Sequence, residues 1–327
     1  MLTLPRFECV RPSGVAAALE DLARHAGETL VIAGGTDAVP NLKHRLHEPS
    51  RLLLIGGLSD LHFIRESDAG LELGPLVTLA EIAAHPAIRR DYPSLAQAAA
   101  LVASPQIRNM GTLGGNLCLD TRCTYYNQTF FWREALGFCL KKSGTICHVV
   151  PQGKRCVAAH SSDVAPVLIS LRASVEIAGA GGRRTVALDD FFVGDGIHNN
   201  VLSSGELITH VRVPRESRGL AAAYLKLRPR AAIDFPMLSV AFAARLEQGV
   251  CQDARLVIGA LGAKPRSVGG VAELARGRAL DQALGEELAA AAAKQCRPLI
   301  NVAYDPDYRH AMVPVFVRRA VRAAAGT

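Results

Sequence analysis

The chain carries the sequence Val31-Ile32-Ala33-Gly34-Gly35-Thr36-Asp37-Ala38 near its start, and this stretch is the strongest indication of its fold. It places an apolar strand directly before a sharp glycine turn, which a hydroxyl and a carboxylate follow. Glycine permits positive φ and lets backbone N–H groups approach a phosphate without an intervening Cβ. Taken alone, the stretch is more typical of an ordinary strand-to-helix turn in which Thr36 or Asp37 caps the helix.

A second glycine-rich stretch, Thr112-Leu113-Gly114-Gly115-Asn116, offers the same chemistry about eighty residues later. Neither stretch matches the G-x-G-x-x-G dinucleotide fingerprint or the G-x-x-x-x-G-K-[ST] phosphate loop. A Rossmann dehydrogenase and a P-loop nucleotidase are therefore disfavoured. The informative feature is the pair of turns in this order.

Around these turns the chain alternates helical and strand patterns, which predicts a mixed α/β start. Helical apolar spacing covers residues 15–25, 79–85, 94–103, 165–171, 285–295 and 313–325. Strand patterns cover residues 29–33, 51–55, 71–73, 174–177, 184–187, 207–213, 224–227, 238–246 and 254–261. The strands at 174–177 and 184–187 are predicted to form a hairpin, and a domain boundary is expected near residues 214–218.

Composition predicts a globular protein of two or three domains, because 327 residues with 49% hydrophobic content supply ample core material. The first thirteen residues lack the pattern of a secretory signal, and no segment reaches the roughly eighteen consecutive apolar residues of a membrane span. We expect a cytoplasmic protein. A reducing compartment disfavours disulfides among the eight cysteines and leaves metal binding, redox work or burial.

The basic excess does not indicate nucleic-acid binding. The net charge is +7, but the 37 basic residues are scattered and lack the interleaved aromatic residues on which single-stranded nucleic acids stack. A phosphate-bearing cofactor, an acidic partner subunit or solubility explains the charge equally well. We expect no nucleic-acid partner.

Residues 118–160, hereafter the insertion, break the α/β pattern. They hold five of the eight cysteines and show no clean periodicity. The spacing of Cys123, Cys139, Cys147 and Cys156 fits neither paired C-x-x-C zinc motifs nor the compact run of bacterial ferredoxins. From spacing alone, a cluster, a structural zinc site and unrelated buried thiols all stay open.

The two glycine turns in this order resemble those of the FAD-binding domain in flavoprotein subunits of the xanthine dehydrogenase family, and the resemblance spans essentially the whole chain. It implies an α+β fold: a two-subdomain PCMH-type (vanillyl-alcohol-oxidase-type) FAD-binding domain over residues 1–216, then a smaller CO dehydrogenase flavoprotein-like domain over 217–327 with an antiparallel sheet and helices. The two subdomains are expected at about 1–57 and 58–216.

The same resemblance implies the residues that contact FAD, and it carries each of them over by matching position. Asp163 as a helix cap, Ile208 as core and Lys226 as a solvated strand residue are the alternatives that the residues themselves allow. The implied FAD contacts are Val31, Ile32, Ala33, Gly34, Gly35, Thr36, Asp37, Ala38, Val102, Thr112, Leu113, Gly114, Gly115, Asn116, Asp163, Ile208 and Lys226.

The insertion resembles that of the 4-hydroxybenzoyl-CoA reductase branch of this family, in segments such as Asp120-Thr121-Arg122-Cys123-Thr124 and Cys147-His148-Val149. The resemblance implies a [4Fe–4S] cluster bound by Cys123, Cys139, Cys147 and Cys156. Cys118 lies beside the second glycine turn and is expected to be a buried neighbour. No catalytic residue is expected in this chain.

The resemblance also implies partners: a large subunit with the molybdopterin cofactor and a small subunit with two [2Fe–2S] clusters, in a dimer of heterotrimers. The implied reaction is reductive removal of an aromatic para-hydroxyl with electrons from reduced ferredoxin. Two alternatives stay open. One is a related molybdenum dehydrogenase or hydroxylase that passes electrons from substrate to an external acceptor, and the other is a zinc-stabilised assembly subunit with degenerate flavin turns.

Overall fold

The structure is a computed structural model that describes residues 2–326, so Met1 and Thr327, the outer limits of the two expected domains, lie outside the described residues. The strands are β1 (Glu8–Val10), β2 (Thr29–Ile32), β3 (Arg51–Leu54), β4 (Ile64–Ser67), β5 (Gly70–Leu73), β6 (Ser174–Gly179), β7 (Gly182–Ala187), β8 (Leu207–Pro214), β9 (Ala221–Leu227), β10 (Leu238–Glu247), β11 (Val250–Gly259) and β12 (Arg266–Ser267). The helices are α1 (Val15–Arg24), α2 (Ala38–Lys43), α3 (Leu79–Ala84), α4 (Pro86–Asp91), α5 (Pro93–Ala100), α6 (Pro105–Arg108), α7 (Leu113–Leu117), α8 (Phe130–Ala135), α9 (Val164–Ser170), α10 (Leu188–Phe191), α11 (Val271–Ala275), α12 (Gln282–Gln295) and α13 (Pro306–Ala324).

The first subdomain is a small parallel sheet in the order β1-β3-β2. The amphipathic helix α1 buries Ala18 and Leu22 against Leu53 of the central strand. Parallel strands need crossover connections, and α1 and α2 supply them between successive strands. The first glycine turn therefore lies directly after β2, at the carboxyl end of a parallel strand.

The second subdomain is an antiparallel five-stranded sheet in the order β4-β5-β8-β6-β7, covered by α3 to α5 and α9. The predicted hairpin of β6 and β7 is present, with Ser174 opposite Ala187. Helix α3 begins with a capping box, in which the Thr78 hydroxyl and the Glu81 side chain satisfy each other's backbone N–H groups. This start fixes the segment that lies beside the second glycine turn.

The C-terminal unit is an antiparallel sheet in the order β12-β11-β10-β9, packed against α11, α12 and α13. Arg309 of α13 is fully buried and donates to the carbonyls of Met237, Leu299 and Ala260 and to Asn301 Oδ1. One guanidinium therefore fixes the helix against the strand ends.

The α+β architecture predicted from the sequence is confirmed, with differences in single elements. The second glycine stretch forms the short helix α7 because the Thr112 hydroxyl caps it, and the insertion contains helix α8. Helix α13 begins seven residues earlier than predicted and continues through Pro314. Within residues 2–326, no helix has the length and apolar character that crossing a bilayer requires.

Candidate functional site

The two glycine stretches face one large cavity of about 580 Å³, hereafter the large cavity. It lies where the turn after β2, the start of α7, the start of α9 and the loop 233–235 meet. Its size falls within the range of small-molecule and cofactor sites. The cavity is therefore the candidate binding site.

Gly34 allows the two turns to meet. A Cβ built on Gly34 would lie 1.8 Å from the Met110 carbonyl oxygen, a distance that no side chain tolerates. Gly35 has φ of +72°, in the left-handed region that favours glycine. The two adjacent glycines are thus required for different reasons, one for close approach and one for backbone conformation.

The second turn is held by α7 and by the segment before α3. Thr112 Oγ1 accepts a hydrogen bond from Gly115 N at 3.1 Å, and Gly114 N donates to Pro75 O at 2.8 Å. Asn116 Oδ1 accepts from Ser162 Oγ at 2.6 Å, which ties α7 to the start of α9. The turn is consequently fixed on both sides before any ligand binds.

A buried polar group closes the cavity beneath α9. Asp163 Oδ1 accepts from Tyr224 Oη at 2.5 Å, and Asp163 Oδ2 pairs with Lys226 Nζ at 2.9 Å. Lys226 also donates to Leu101 O at 3.1 Å, and its side chain is 1% exposed. Burial raises the pKa of the Asp163 carboxyl, although Lys226 and Tyr224 act to lower it. Burial likewise lowers the pKa of Lys226.

The structure brings the predicted flavin contacts together around this cavity, all but two of them in its wall. Leu113 is fully buried in the core, and Lys226 reaches the cavity only through Asp163, so Lys226 is not a solvated strand residue. Asp163 precedes α9, but its side chain makes no capping bond. Ile208 is both buried and part of the wall.

Several wall residues were missed by the sequence analysis. Arg122 pairs with Asp37 and stacks its guanidinium 3.7 Å from the Phe235 ring centre, and it lies 85 positions beyond its carboxylate partner. No local pattern signals such a pair. The other missed wall residues include His47, Asp120, Asn199 and Glu206.

The four predicted cluster ligands, Cys123, Cys139, Cys147 and Cys156, all line a second, small cavity of about 20 Å³, hereafter the cysteine cavity. None of the eight cysteines, all of which lie within the described residues, forms a disulfide. Cys118 is absent from this cavity and lines the large one instead. The predicted division of the five cysteines of the insertion into four plus one therefore matches their placement.

Two segments of the chain pack closely against Cys156, which lines the cysteine cavity. Ala158 N donates to Cys156 Sγ at 3.4 Å, and a Cβ on Gly196 would lie 2.8 Å from that sulfur. Burial, together with the neighbouring thiols Cys156, Cys139 and Cys147, raises the pKa of Cys123 to about 11. Thiols that oppose one another's ionisation favour a positive ion or cluster among them.

Within residues 2–326, no group of three or more His, Cys, Asp or Glu side chains is arranged to hold a metal ion. A single zinc ion requires all its sulfur ligands about 2.3 Å from one point. A [4Fe–4S] cluster takes one thiolate on each of its four iron atoms. The number and type of donors in the cysteine cavity fit such a cluster.

The insertion is anchored to both domains. The buried Arg133 donates to the carbonyls of His44 and Arg45 at 3.0 and 3.2 Å. On the opposite side, Asn301 Nδ2 donates to Val157 O at 2.7 Å, and Asn301 O accepts from Thr124 N. The cysteine cavity is thus held by the first subdomain and the C-terminal unit together.

Comparison with known proteins agrees with this architecture. The family described as FAD binding domain in molybdopterin dehydrogenase matches residues 5–216, and the CO dehydrogenase flavoprotein C-terminal domain matches residues 223–324. The carbon monoxide dehydrogenase medium chain of Hydrogenophaga pseudoflava is 28% identical over 321 residues, covering 98% of this chain and 97% of that protein.

A second relative, the aldehyde oxidoreductase FAD-binding subunit PaoB of Escherichia coli strain K12, is 37% identical over 220 residues, covering 64% of this chain and 69% of that protein. A solved structure of carbon monoxide dehydrogenase from Hydrogenophaga pseudoflava, lacking the Mo-pyranopterin moiety of its cofactor, aligns with a TM-score of 0.82 and 26% identity. The alignment covers 99% of both chains. This chain belongs to the family of FAD-binding subunits of molybdenum hydroxylases and resembles the carbon monoxide dehydrogenase medium chain.

Proposed function

We propose that the chain is an electron-transfer subunit that holds FAD in the large cavity and a [4Fe–4S] cluster in the cysteine cavity. The cluster proposal rests on one observation: four thiols, spread over 34 positions of the sequence, line one small cavity. When bound, FAD exchanges one or two electrons while the cluster passes them singly, which couples unlike donors and acceptors.

The walls of the large cavity fit a flavin dinucleotide. Gly34 lets the first turn pack against the Met110 carbonyl, so both glycine stretches line one cavity and bring their backbone to it, as binding of a pyrophosphate by backbone N–H groups requires. The proposed contacts are the sixteen sequence-predicted positions other than Lys226, with Leu113 contributing through its backbone. Lys226 positions the Asp163 carboxylate, which borders the cavity itself.

Substrate chemistry is proposed to occur on a partner molybdenum subunit. We assign the holoenzyme to the dehydrogenase and hydroxylase class, in which electrons leave the substrate and pass through this chain to an external acceptor. The names of the relatives support this direction, because they include carbon monoxide dehydrogenase and nicotine 6-hydroxylase.

A second candidate is 4-hydroxybenzoyl-CoA reductase, in which reduced ferredoxin supplies electrons for removal of the aromatic para-hydroxyl. The cysteine cavity favours this candidate, because the insertion that forms the cavity is the part of the chain that resembles the 4-hydroxybenzoyl-CoA reductase branch. In both cases we propose a large molybdenum subunit and a small [2Fe–2S] subunit in a dimer of heterotrimers. A zinc-stabilised assembly subunit is the candidate from another class.

Purification of the complex from its native source tests these proposals. We expect release of FAD and not FMN on denaturation, about four iron and four acid-labile sulfide per chain beyond those of the small subunit, and co-purifying subunits visible by native mass spectrometry. Zinc without flavin would establish the assembly candidate, and a stable substrate-converting monomer would refute the partner proposal.

A turnover assay separates the two directions. If reduced ferredoxin and 4-hydroxybenzoyl-CoA produce benzoyl-CoA, the reductase candidate is correct. If the complex reduces an artificial acceptor only with an oxidisable substrate, the dehydrogenase assignment stands.

A further inference from the structure

The side chain of Asp120 lies between the two cavities. Its carboxylate borders the large cavity, where His47 Nε2 approaches Asp120 Oδ2 at 3.2 Å. The same carboxylate accepts from Lys141 Nζ at 2.6 Å and from Tyr126 Oη at 2.8 Å, and both of those side chains line the cysteine cavity. One carboxylate thus contacts residues of both sites.

Lys141 is held rigidly on the cysteine side. Its side chain is 5% exposed, and Nζ donates to Thr121 O at 3.0 Å and to Thr121 Oγ1 at 2.5 Å. Nζ also lies 4.3 Å from the Tyr126 ring centre. A buried ammonium in a fixed position acts on its surroundings far more strongly than a solvated lysine, because water does not screen it.

The charges of Lys141 and Asp120 act on both cavities. Lys141 lines the cysteine cavity together with Cys139, Cys147 and Cys156, which places its buried positive charge next to these thiols. Burial acts to raise the pKa of Asp120, but the bonds from His47 and Lys141 outweigh it and hold that pKa well below its usual range. The pair therefore presents a cation to the cysteines and an anion to the large cavity.

We infer that the Lys141 ammonium, oriented by Asp120, raises the reduction potential of the proposed cluster and so sets how readily the cluster accepts an electron. This inference rests on the proposed function. Reduction by a one-electron donor would add one negative charge to the cluster held by the four thiolates, and the fixed ammonium would stabilise that charge. The negative charge of Asp120 partly offsets the effect of the ammonium on the potential. Asp120 also connects Lys141 to the large cavity, which its carboxylate borders. Lys141 and Asp120 are positioning residues, since neither is a proposed ligand.

The test is a redox titration of the isolated complex, followed by electron paramagnetic resonance of the cluster. Lys141→Gln should shift the reduction equilibrium about tenfold toward the oxidised form, which is about 59 mV to lower potential for one electron. Asp120→Asn should shift it in the opposite direction, because the ammonium then loses its counter-charge. General damage to the site would not produce opposite signs.

Lys154→Gln is the matched control, because this lysine is exposed and lies two positions from Cys156, as Lys141 lies two positions from Cys139. Lys154→Gln removes the same charge and should change the reduction equilibrium of the cluster by less than twofold. Equal potentials in Lys141→Gln and Lys154→Gln would overturn the inference. If Lys141→Gln loses its iron, the potential of the cluster in Asp120→Asn tests the inference instead. An unchanged or lowered potential in Asp120→Asn overturns the inference. Absence of iron from the wild-type complex would instead refute the proposed cluster itself.

Discussion

A β-carbon on Gly34 would lie 1.8 Å from the carbonyl oxygen of Met110, so the two glycine turns touch only because residue 34 has no side chain. The obstructing atom belongs to the backbone and cannot rotate away. Any larger residue must therefore move one turn relative to the other and change the shape of the large cavity.

Gly34→Ala should destabilise the protein by roughly 1–3 kcal/mol and lower its FAD content. Gly57→Ala is the control, because a Cβ there meets nothing within 4 Å. Urea unfolding and flavin release measure both effects. Full FAD occupancy in Gly34→Ala, with stability equal to that of Gly57→Ala, would contradict the proposal that the contact between Gly34 and Met110 shapes the FAD site.

The two cysteine environments predict opposite phenotypes. Cys139→Ala should lose most of its iron and acid-labile sulfide, because it removes one of the four thiols of the cysteine cavity, while FAD stays largely bound. Cys118→Ala should keep its iron, since that thiol lines the large cavity. Iron, acid-labile sulfide and flavin contents of both variants test this ligand set. Retained iron in Cys139→Ala, or lost iron in Cys118→Ala, would show that the ligand set is wrong.

His160 predicts a pH dependence of stability. Its ring is buried against Phe192 and Leu117 O, and burial lowers its pKa from 6.5 to about 4. The unfolded state therefore binds a proton more readily than the folded state. Stability is fully present above about pH 6.5 and is lost progressively as the pH falls toward 4, by at most roughly 3 kcal/mol.

His160→Gln should flatten that part of the profile, whereas the exposed His198→Gln should leave it unchanged. Thermal unfolding between pH 4 and pH 7 provides the measurement. A variant at position 160 with the slope of the wild type would refute the role of this histidine.

Arg309 predicts a link between the C-terminal unit and the insertion. Arg309→Met leaves the buried carbonyls of Met237 and Ala260, the partly buried carbonyl of Leu299 and Asn301 Oδ1 without this donor and should cost about 3 kcal/mol or more. Since Asn301 also donates to Val157 O beside Cys156, iron content should fall as well. Arg319→Met, on the exposed side of α13, is the control. Equal unfolding free energies in the two variants would contradict the prediction.

Regular elements were predictable where local periodicity follows from which face is buried. Strands β2, β3 and β8 and helix α1 follow their predicted ranges closely. Helix α1 buries Ala18 and Leu22, four positions apart, and burial alternates in β8 from Thr209 onward, so the apolar period records the buried face in these two elements. The start of α13 was predicted too late because Pro314 is typical of the first turn of a helix. In the structure, the Asp305 side chain accepts from Tyr308 N and begins the helix earlier.

The sequence by itself determined the chemistry available to this protein: two glycine turns, five cysteines within residues 118–160 and an α+β succession of elements. Such features are local, since a missing Cβ or a thiol is a property of one residue. Only the tertiary structure decided that Gly34 meets Met110, that Arg122 pairs with Asp37, and that Asp120 joins the two cavities through Lys141. Contacts between residues far apart in the chain depend on how whole elements pack, and no local pattern records that packing.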